Sequence, residues 1–291
     1  MTISVVIPTY NRGDSIKTTL DSVLNQTLAP LEIIVVDDGS TDGTPDFVAA
    51  HYKDAVRVLR QTNGGVARAR NRGWRAARGQ WIAFLDHDDE WLPQKLERMM
   101  HAARPETGVI VSRWREEDEN GEIERESPVF ETERMSKRAA FAWLFGWNSP
   151  LVSMSVPLVR RDLLAQIGGF DARCAPADDW DLWLRLARVT DFGFVNEITT
   201  IYHLHPNQQR LDEARMFRAV RRVLGRYPLE LSRRPLLLWW LVWSGAFVPS
   251  IPAYKRAQNG EFSATFDAVR AHPLTLLSPQ WLRLLAVCLR R

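Results

Sequence analysis

Three carboxylates, Asp86, Asp88 and Asp89, follow directly on a short apolar run, Trp81-Ile-Ala-Phe-Leu85. A run of that length bounded by charge reads as a fully buried strand of a sheet covered on both faces. Acids at the carboxyl end of such a strand lie where open α/β sheets bind ligands. Asp86 and Asp88 stand two apart, so an irregular turn can aim both at one cation. Oxygen-only ligands suit Mg²⁺ or Mn²⁺, and Mg²⁺ typically bridges one or two carboxylates to substrate phosphates. Taken singly, an Asp-x-Asp reads as well as a solubilising loop or the cap of the next helix.

Two other clusters share that address, the carboxyl ends of successive strands: Thr9-Tyr10-Asn11 and Asp37-Asp38. In a doubly wound sheet those ends meet along one edge, so residues far apart in sequence become neighbours. Asp38 can accept hydrogen bonds from a base N–H or a ribose hydroxyl; beside Gly39 it also reads as a turn or cap residue. The Gly64-Gly65 pair lets backbone approach a ligand closely, and Arg68 or Arg70 can meet a phosphate unless each simply faces solvent on a helix. Several other chemistries lack their signatures. No Gly-x-Gly-x-x-Gly follows the first strand and there is no Walker A loop. No Gly-x-Ser-x-Gly or Ser-His-Asp arrangement is visible. Asp37-Asp38-Gly39 has glycine where an aspartyl phosphatase needs its second acid, and Asp86-His87-Asp88 fits that spacing but comes late.

The elements that must position these groups follow from the apolar pattern. Ile3–Ile7, Glu32–Val36, Val56–Leu59 and Trp81–Leu85 read as strands. Between them lie an amphipathic helix with Asp14 as its cap, a helix opened by Thr44-Pro45, and an Ala/Arg-rich helix opened by Asn63-Gly64-Gly65 and closed by Gly79. This alternation predicts a parallel, doubly wound sheet with right-handed crossovers. Beyond Trp91 come a helix from Pro93 to about His101, a strand near Val109–Trp114 and an Asn120-Gly121 hairpin turn. The charged stretch Arg115–Arg138 reads as loop or edge. Ser155–Arg160 is a further strand, a helix begins near Asp178 or Asp179, and Phe192–His203 is extended. From Asn207 onward the chain reads as helical.

The 291 residues suffice for a sizeable core. Cys174 and Cys288 lie far apart without metal-ligand spacing, which points to a reducing compartment. The first residues enter a strand-like run without a signal-peptide pattern, so export is not expected and a cytoplasmic location is. From Arg215 onward thirteen Lys/Arg face three Asp/Glu, leaving 25 against 32 in the remainder of a chain of net charge +3. Pro235–Tyr254 carries no charge and includes Trp239, Trp240 and Trp243. Pro249 and Pro252 cut it to about 14 apolar residues, short of the ~20 a spanning helix needs. Arg233-Arg234 and Lys255-Arg256 flank it, and Leu274–Arg291 mixes apolar residues with arginine. The pattern predicts a tail lying in the interface of an anionic membrane; its alternative is a helical hairpin covering the rest of the protein or a dimer contact. Nucleic acid is a poorer partner, because the aromatic residues lie in an uncharged block rather than among the arginines.

Ile3-Ser-Val-Val-Ile-Pro-Thr-Tyr-Asn11, Val35-Val-Asp-Asp-Gly-Ser-Thr-Asp42, Ala69-Arg-Asn-Arg-Gly73 and Phe84-Leu-Asp-His-Asp-Asp89 together resemble the family-2 glycosyltransferases. The likeness continues through Gly168-Gly-Phe-Asp171 and Asp178-Asp-Trp-Asp-Leu-Trp-Leu-Arg185 to Tyr202-His-Leu-His-Pro206, about the first two-thirds of the chain. It implies an inverting, metal-dependent sugar-nucleotide enzyme of GT-A fold: an α/β, doubly wound, mostly parallel sheet with a helical C-terminal extension. Residues 1–206 would be the catalytic domain, about 1–92 the nucleotide-sugar half and 93–206 the acceptor half, with 207–291 a basic helical tail. By position, Pro8, Thr9 and Asp38 would hold base and ribose, and Tyr10, Asn11, Gly65, Arg68, Arg70, Asp86 and His87 would complete the donor site. Asp86 and Asp88 would hold Mg²⁺ or Mn²⁺ on the diphosphate, with His205 as a late ligand and His203 its fallback. The donor implied is a nucleoside-diphosphate sugar, uridine being the family's commonest base, and the acceptor a glycan or lipid-linked hydroxyl presented at the inner face of the plasma membrane during surface-polysaccharide assembly.

The family usually has Glu-Asp where this chain has Asp178-Asp179, which leaves open which of the two faces the acceptor as general base. At a helix N-terminus the dipole would weaken Asp179 as a base, whereas desolvation by Trp180 and the Asp178 charge would strengthen it. A sugar-nucleotide pyrophosphorylase is the nearest rival enzyme, but Thr9-Tyr10-Asn11-Arg12 poorly matches the Gly/Arg/Lys-rich loop it needs. A non-catalytic nucleotide-sugar-binding membrane scaffold is the other, and the presence of both acid clusters argues against it. A tail attached as predicted co-sediments with anionic vesicles at low salt; a protein that stays wholly in the supernatant overturns that reading.

Overall fold

In the computed structural model, which describes residues 1–145, 153–204 and 213–232, the first strand β1 spans Ile3–Thr9, every residue of it buried. The first half alternates as its apolar pattern requires: α1 Ile16–Leu24, β2 Glu32–Asp37, α2 Thr44–Tyr52, β3 Arg57–Arg60, α3 Val66–Ala76 and β4 Trp81–Phe84. The second half holds β5 Glu90–Trp91, α4 Lys95–His101, β6 Thr107–Glu117, β7 Ile123–Glu126, β8 Arg134–Met135, α5 Lys137–Phe145, β9 Leu158–Arg160, α6 Arg161–Ile167, α7 Asp178–Leu186 and β10 Asp191–His203.

The sheet runs β3-β2-β1-β4-β9-β6-β10-β5, with β7 on β6 and β8 on β10. β1 pairs in parallel with β2 and β4, β2 with β3, and β6 with β10. β9 runs antiparallel to both β4 and β6. Six strands therefore point one way, and the short β9 is a reversed rib between two parallel halves. That reversal matters for the site. The residues entering β9 arrive at the same edge as the residues leaving β1, β2 and β4.

Several local details differ from the sequence reading. Gly13–Ser15 forms a 3₁₀ turn before α1, so Asp14 does not cap the helix with its side chain. Gly43 rather than Thr44 precedes α2, and Asp42 accepts the Thr44 N–H at 3.0 Å. α3 ends at Ala76, before Gly79. Arg115–Glu117 belong to β6, where Glu116 is buried and takes Arg125 NH2 at 2.6 Å across the hairpin.

The chain divides into two compact units at 208/209. In the second, α8 (Glu213–Leu224) buries Phe217, Val220, Val223 and Leu224 and exposes Arg215, Arg218, Arg221 and Arg222, and α9 is Pro228–Ser232. No helix among the described residues is long and apolar enough to cross a membrane. The Pro235–Tyr254 and Leu274–Arg291 segments lie outside the described residues, as does His205.

In the first unit, α1 places Ile16, Leu20 and Val23 against Val5 and Ile7 of β1, Val35 of β2 and Ala83 of β4. On the other face α3 crosses β1 with Gly73 at the contact: a Cβ there would lie 2.2 Å from Val6 Cγ1 and 3.1 Å from Val36 Cγ2. Gly73→Ala should therefore overpack the seam and cost about 1–3 kcal/mol. The measurement is the urea midpoint, which falls while the m-value stays constant.

Candidate active site

The strand ends converge through named contacts. Asp38 N–H donates to Thr9 O at 2.9 Å, and His87 Nδ1 lies 3.1 Å from Pro8 O, so the segments leaving β1, β2 and β4 are stitched side by side. Asn11, at φ +50°, accepts the Thr41 N–H on Oδ1 at 2.8 Å and donates its own N–H to Ser40 Oγ at 2.9 Å. Asp38 is buried, and its carboxylate accepts from Gln61 Nε2 at 2.7 Å, Gly64 N at 2.9 Å and Gly65 N at 2.8 Å. The two glycines thus serve Asp38 through their amides, and the carboxylate keeps little capacity for a further donor. Thr9 Oγ1 and His87 Nε2 are buried without a partner. Tyr10 and Arg68 are exposed.

The acid side is organised by Arg70. α3 buries Ala67, Arg70, Asn71 and Trp74, a helical stripe on its inner face. Arg70 NH2 lies 2.6 Å from Asp86 Oδ1, and NH1 lies 3.7 Å from Asp178 Oδ2. Its guanidinium stands 5.5 Å from the centroid of the Phe170 ring. Asn71 fixes that ring's backbone, donating Nδ2–H to Phe170 O at 2.8 Å and accepting Phe170 N–H at 2.9 Å. Gly169 allows the approach: at φ +73°, any Cβ would lie 2.4 Å from Asn71 Oδ1. Arg185 completes the clamp, donating to Ile167 O at 2.9 Å, Gly169 O at 2.7 Å and Asp181 Oδ2 at 2.8 Å. The turn is held from α3 and α7 together, so the first turn of α7 has one place to be.

Asp178 is buried against Arg70, and burial raises its pKa while Arg70 opposes the shift. Asp179 keeps part of its surface open and accepts the Trp180 N–H at 2.6 Å. Burial first, then the Asp178 charge, push Asp179 up to about 7, against Arg70 and the Trp180 N–H. Desolvation outweighs the helix N-terminus. The more open of the two acids is also the one tuned for proton exchange near neutrality.

Asp86 is also held from β9's approach: its N–H donates to Ser155 Oγ at 2.9 Å, and Ser153 Oγ lies 3.3 Å from its Oδ2. Both serines bond the buried Asp89. Burial, reinforced by Asp86 and Asp88, drives the Asp89 pKa well up, while burial drives the Lys95 pKa well down. Lys95 Nζ donates to Val156 O at 2.7 Å and Thr200 Oγ1 at 2.9 Å, tying the serine segment to β10. Ser153, Ser155, Asn71 and Lys95 have no part in the site read from sequence. Asn71 alone had a signal, its place beside Arg70 in the Ala69–Gly73 motif.

Asp88 faces Arg12 NH2 at 3.9 Å and His87 Nε2 at 3.7 Å. Burial lowers the His87 pKa, so the ring is neutral at physiological pH. Among the described residues no group of three or more acid, His or Cys side chains is arranged to hold a metal. Two partly open carboxylates, Asp86 and Asp88, remain, the hard oxygen donors that suit a Mg²⁺-type ion sharing its shell with phosphates. His203 Nε2 stands 3.7 Å from Glu90 Oε2.

The model of the family described as glycosyl transferase family 2 matches residues 4–168. The chain is 32% identical over 212 residues to the uncharacterized glycosyltransferase RP339 of Rickettsia prowazekii (strain Madrid E), covering 71% of this chain and 65% of that protein. It is 44% identical over 104 residues to the uncharacterized glycosyltransferase YibD of Escherichia coli (strain K12), covering 35% and 30%. The aligned chain thus spans less than two thirds of each relative. Among solved structures, S. aureus TarS 1–349 in complex with UDP-GlcNAc superimposes with TM-score 0.65 at 19% identity, over 94% of this chain and 82% of that one. The mannosyltransferase PcManGT from Pyrobaculum calidifontis, in complex with GDP-Man and Mn²⁺, superimposes with TM-score 0.59 at 20% identity, over 99% and 86%. The fold is that of the GT-A glycosyltransferases, a curled, mostly parallel α/β sheet.

Asp179 also makes a stability prediction. Its folded pKa of about 7 lies above the ordinary aspartate value of 3.8, so its contribution is complete below pH 3.8 and is lost as pH rises through about 7. Asp179→Asn should raise the melting temperature at pH 8 by about 2–4 °C and leave it nearly unchanged at the acid end, read by calorimetry across pH.

Proposed function

This chain belongs to glycosyl transferase family 2, and from that premise we propose that it is a metal-dependent, inverting transferase acting on a nucleoside-diphosphate sugar. The donor is most simply a UDP-sugar, as in the TarS complex, and the acceptor a hydroxyl of a glycan or lipid-linked glycan in surface-polysaccharide assembly. The observation that carries the reading is the pairing of two unlike acid sites at one sheet edge. Asp86 and Asp88 are partly open oxygen donors, and Asp179 is an acid with a pKa near 7 on the far side of Arg70.

Asp86 and Asp88 are the residues that would hold Mg²⁺ or Mn²⁺; such an ion supplies Lewis-acid neutralisation of the charge gathering on the departing diphosphate. The remaining work falls to the protein. Asp179 takes the proton from the acceptor hydroxyl as its oxygen bonds the anomeric carbon, and the carbon–oxygen bond to the diphosphate breaks on the opposite face. A single base on the face opposite the leaving group suits inversion. Asp178, buried against Arg70, is the supporting acid. Pro8 and Thr9 present backbone and a buried, unpartnered hydroxyl where the base and ribose would lie. Asp38 shapes that wall by holding Gly64 and Gly65. Asp88→Ala should abolish Mn²⁺-dependent transfer. Asp179→Asn should eliminate turnover while leaving donor affinity, read by calorimetry, within about threefold. The wild-type rate should rise with pH through about 7 as Asp179 ionises. Normal turnover in both variants would defeat the reading. A melting-temperature panel of nucleoside diphosphates, with and without Mn²⁺, identifies the base. The basic Trp-rich tail supports placement on the cytoplasmic face of the membrane, and His205, in the Tyr202–Pro206 motif, would be the late ligand to the ion.

A further inference from the structure

The guanidinium of Arg70 is buried between two carboxylates, Asp86 on one side and Asp178 on the other. We propose that Arg70 is a positioning residue for the acceptor-side acids, a cation shared between Asp86 and Asp178 that keeps Asp179 available as a proton acceptor, and not a ligand of the donor phosphates. The role given to Asp179 rests on the transferase reading above; the placement of Arg70 does not.

Three surroundings fix this guanidinium. It lies on the buried stripe of α3 with Ala67, Asn71 and Trp74, so helix rotation cannot expose it without stripping the α3–β1 seam. It lies over the Phe170 ring, which Asn71 holds by two hydrogen bonds. Its two terminal nitrogens point to acids from different segments, the loop after β4 and the first turn of α7. A planar fork reaches both carboxylates from separate, fixed nitrogens, whereas an ammonium is one compact charge on a flexible stem.

Remove the Arg70 charge and Asp178 and Asp179 are left with burial and mutual repulsion, both favouring their protonation. The groups that face Asp179 are Asp178 and the Trp180 N–H on its own helix, Arg70 from α3 and Asp86 from the loop after β4. Arg70 is the cation among them, and it acts against burial and the two carboxylates. A base held near neutrality would, without it, stay protonated at physiological pH.

The test follows the Asp179 carboxyl by ¹³C NMR on aspartate-labelled full-length protein, the resonance assigned by its loss in Asp179→Asn. No substrate or metal is needed, so the result stands whether or not the transferase reading holds. Arg70→Met should move the Asp179 titration upward by about one pH unit. Under turnover the acid limb of kcat should move by the same amount. Should Arg70→Met fail to fold, Arg70→Lys decides: its amine reaches one carboxylate, so the titration still rises, by about half a unit. A titration that stays at the wild-type position in a folded variant overturns the proposal. So does a donor KM raised tenfold or more with an unmoved acid limb, which would make Arg70 a phosphate ligand. Wild-type protein that transfers no sugar while the titration moves would defeat the transferase reading alone.

Discussion

A guanidinium does not give up its proton inside a protein, so wherever the fold buries one the chain must bring carboxylates to it. Arg70 imposes that demand on the whole site. Its partners come from the loop after β4 and from the start of α7, and neither segment could drift without leaving a buried charge uncompensated. The turn at Gly168–Phe170, with its Asn71 and Arg185 clamps, is the mechanical counterpart of the same constraint. Electrostatics selects the arrangement; the clamps give it a single geometry.

A second buried basic side chain lies behind the same edge. Lys95 donates to neutral oxygens around Val156 and Thr200, and it is attracted to Asp89, which the two serines also bond. Because β9 runs against its neighbours, the serines arrive where Asp86 leaves β4. The two basic side chains divide the labour. Arg70 orders the acids that face outward, and Lys95 anchors the segment that supports them from below.

The strands were legible where burial is nearly complete on both faces: β1, β2 and β4 are mostly apolar runs, and the polar residues that end them announce the edge. The inward face of α3 was legible as a period but misleading in its chemistry. Arg70 shares a stripe with Ala67 and Trp74, and composition alone reads a run of arginines as a solvated helix. Asp38 escaped because its partners, Gly64 and Gly65, sit across the β2–β3 unit, and sequence spacing carries no information on such pairing. β9 carried no directional signal, since three residues have no pattern that distinguishes parallel from antiparallel. Lys95 opens a helix rich in charged and polar residues, and nothing in that local sequence marks it as buried. The competition at Asp179 between helix terminus and desolvation needed the packing of Asp178 before it had a sign.

The reversed rib has a consequence for how the protein is made. In the described sheet β4 reaches β6 only through β9. β1 to β4 pair among near neighbours in the chain, a low contact order that lets them assemble early during synthesis, whereas β6 must wait. Until residues 158–160 leave the ribosome the free side of β4 is an open edge, the kind that recruits other chains. The acids of α7 begin at Asp178, after the whole of α6 has followed β9. A nascent chain thus assembles β1 to β4 first and gains Asp178 and Asp179 only after β9 has covered the open side of β4.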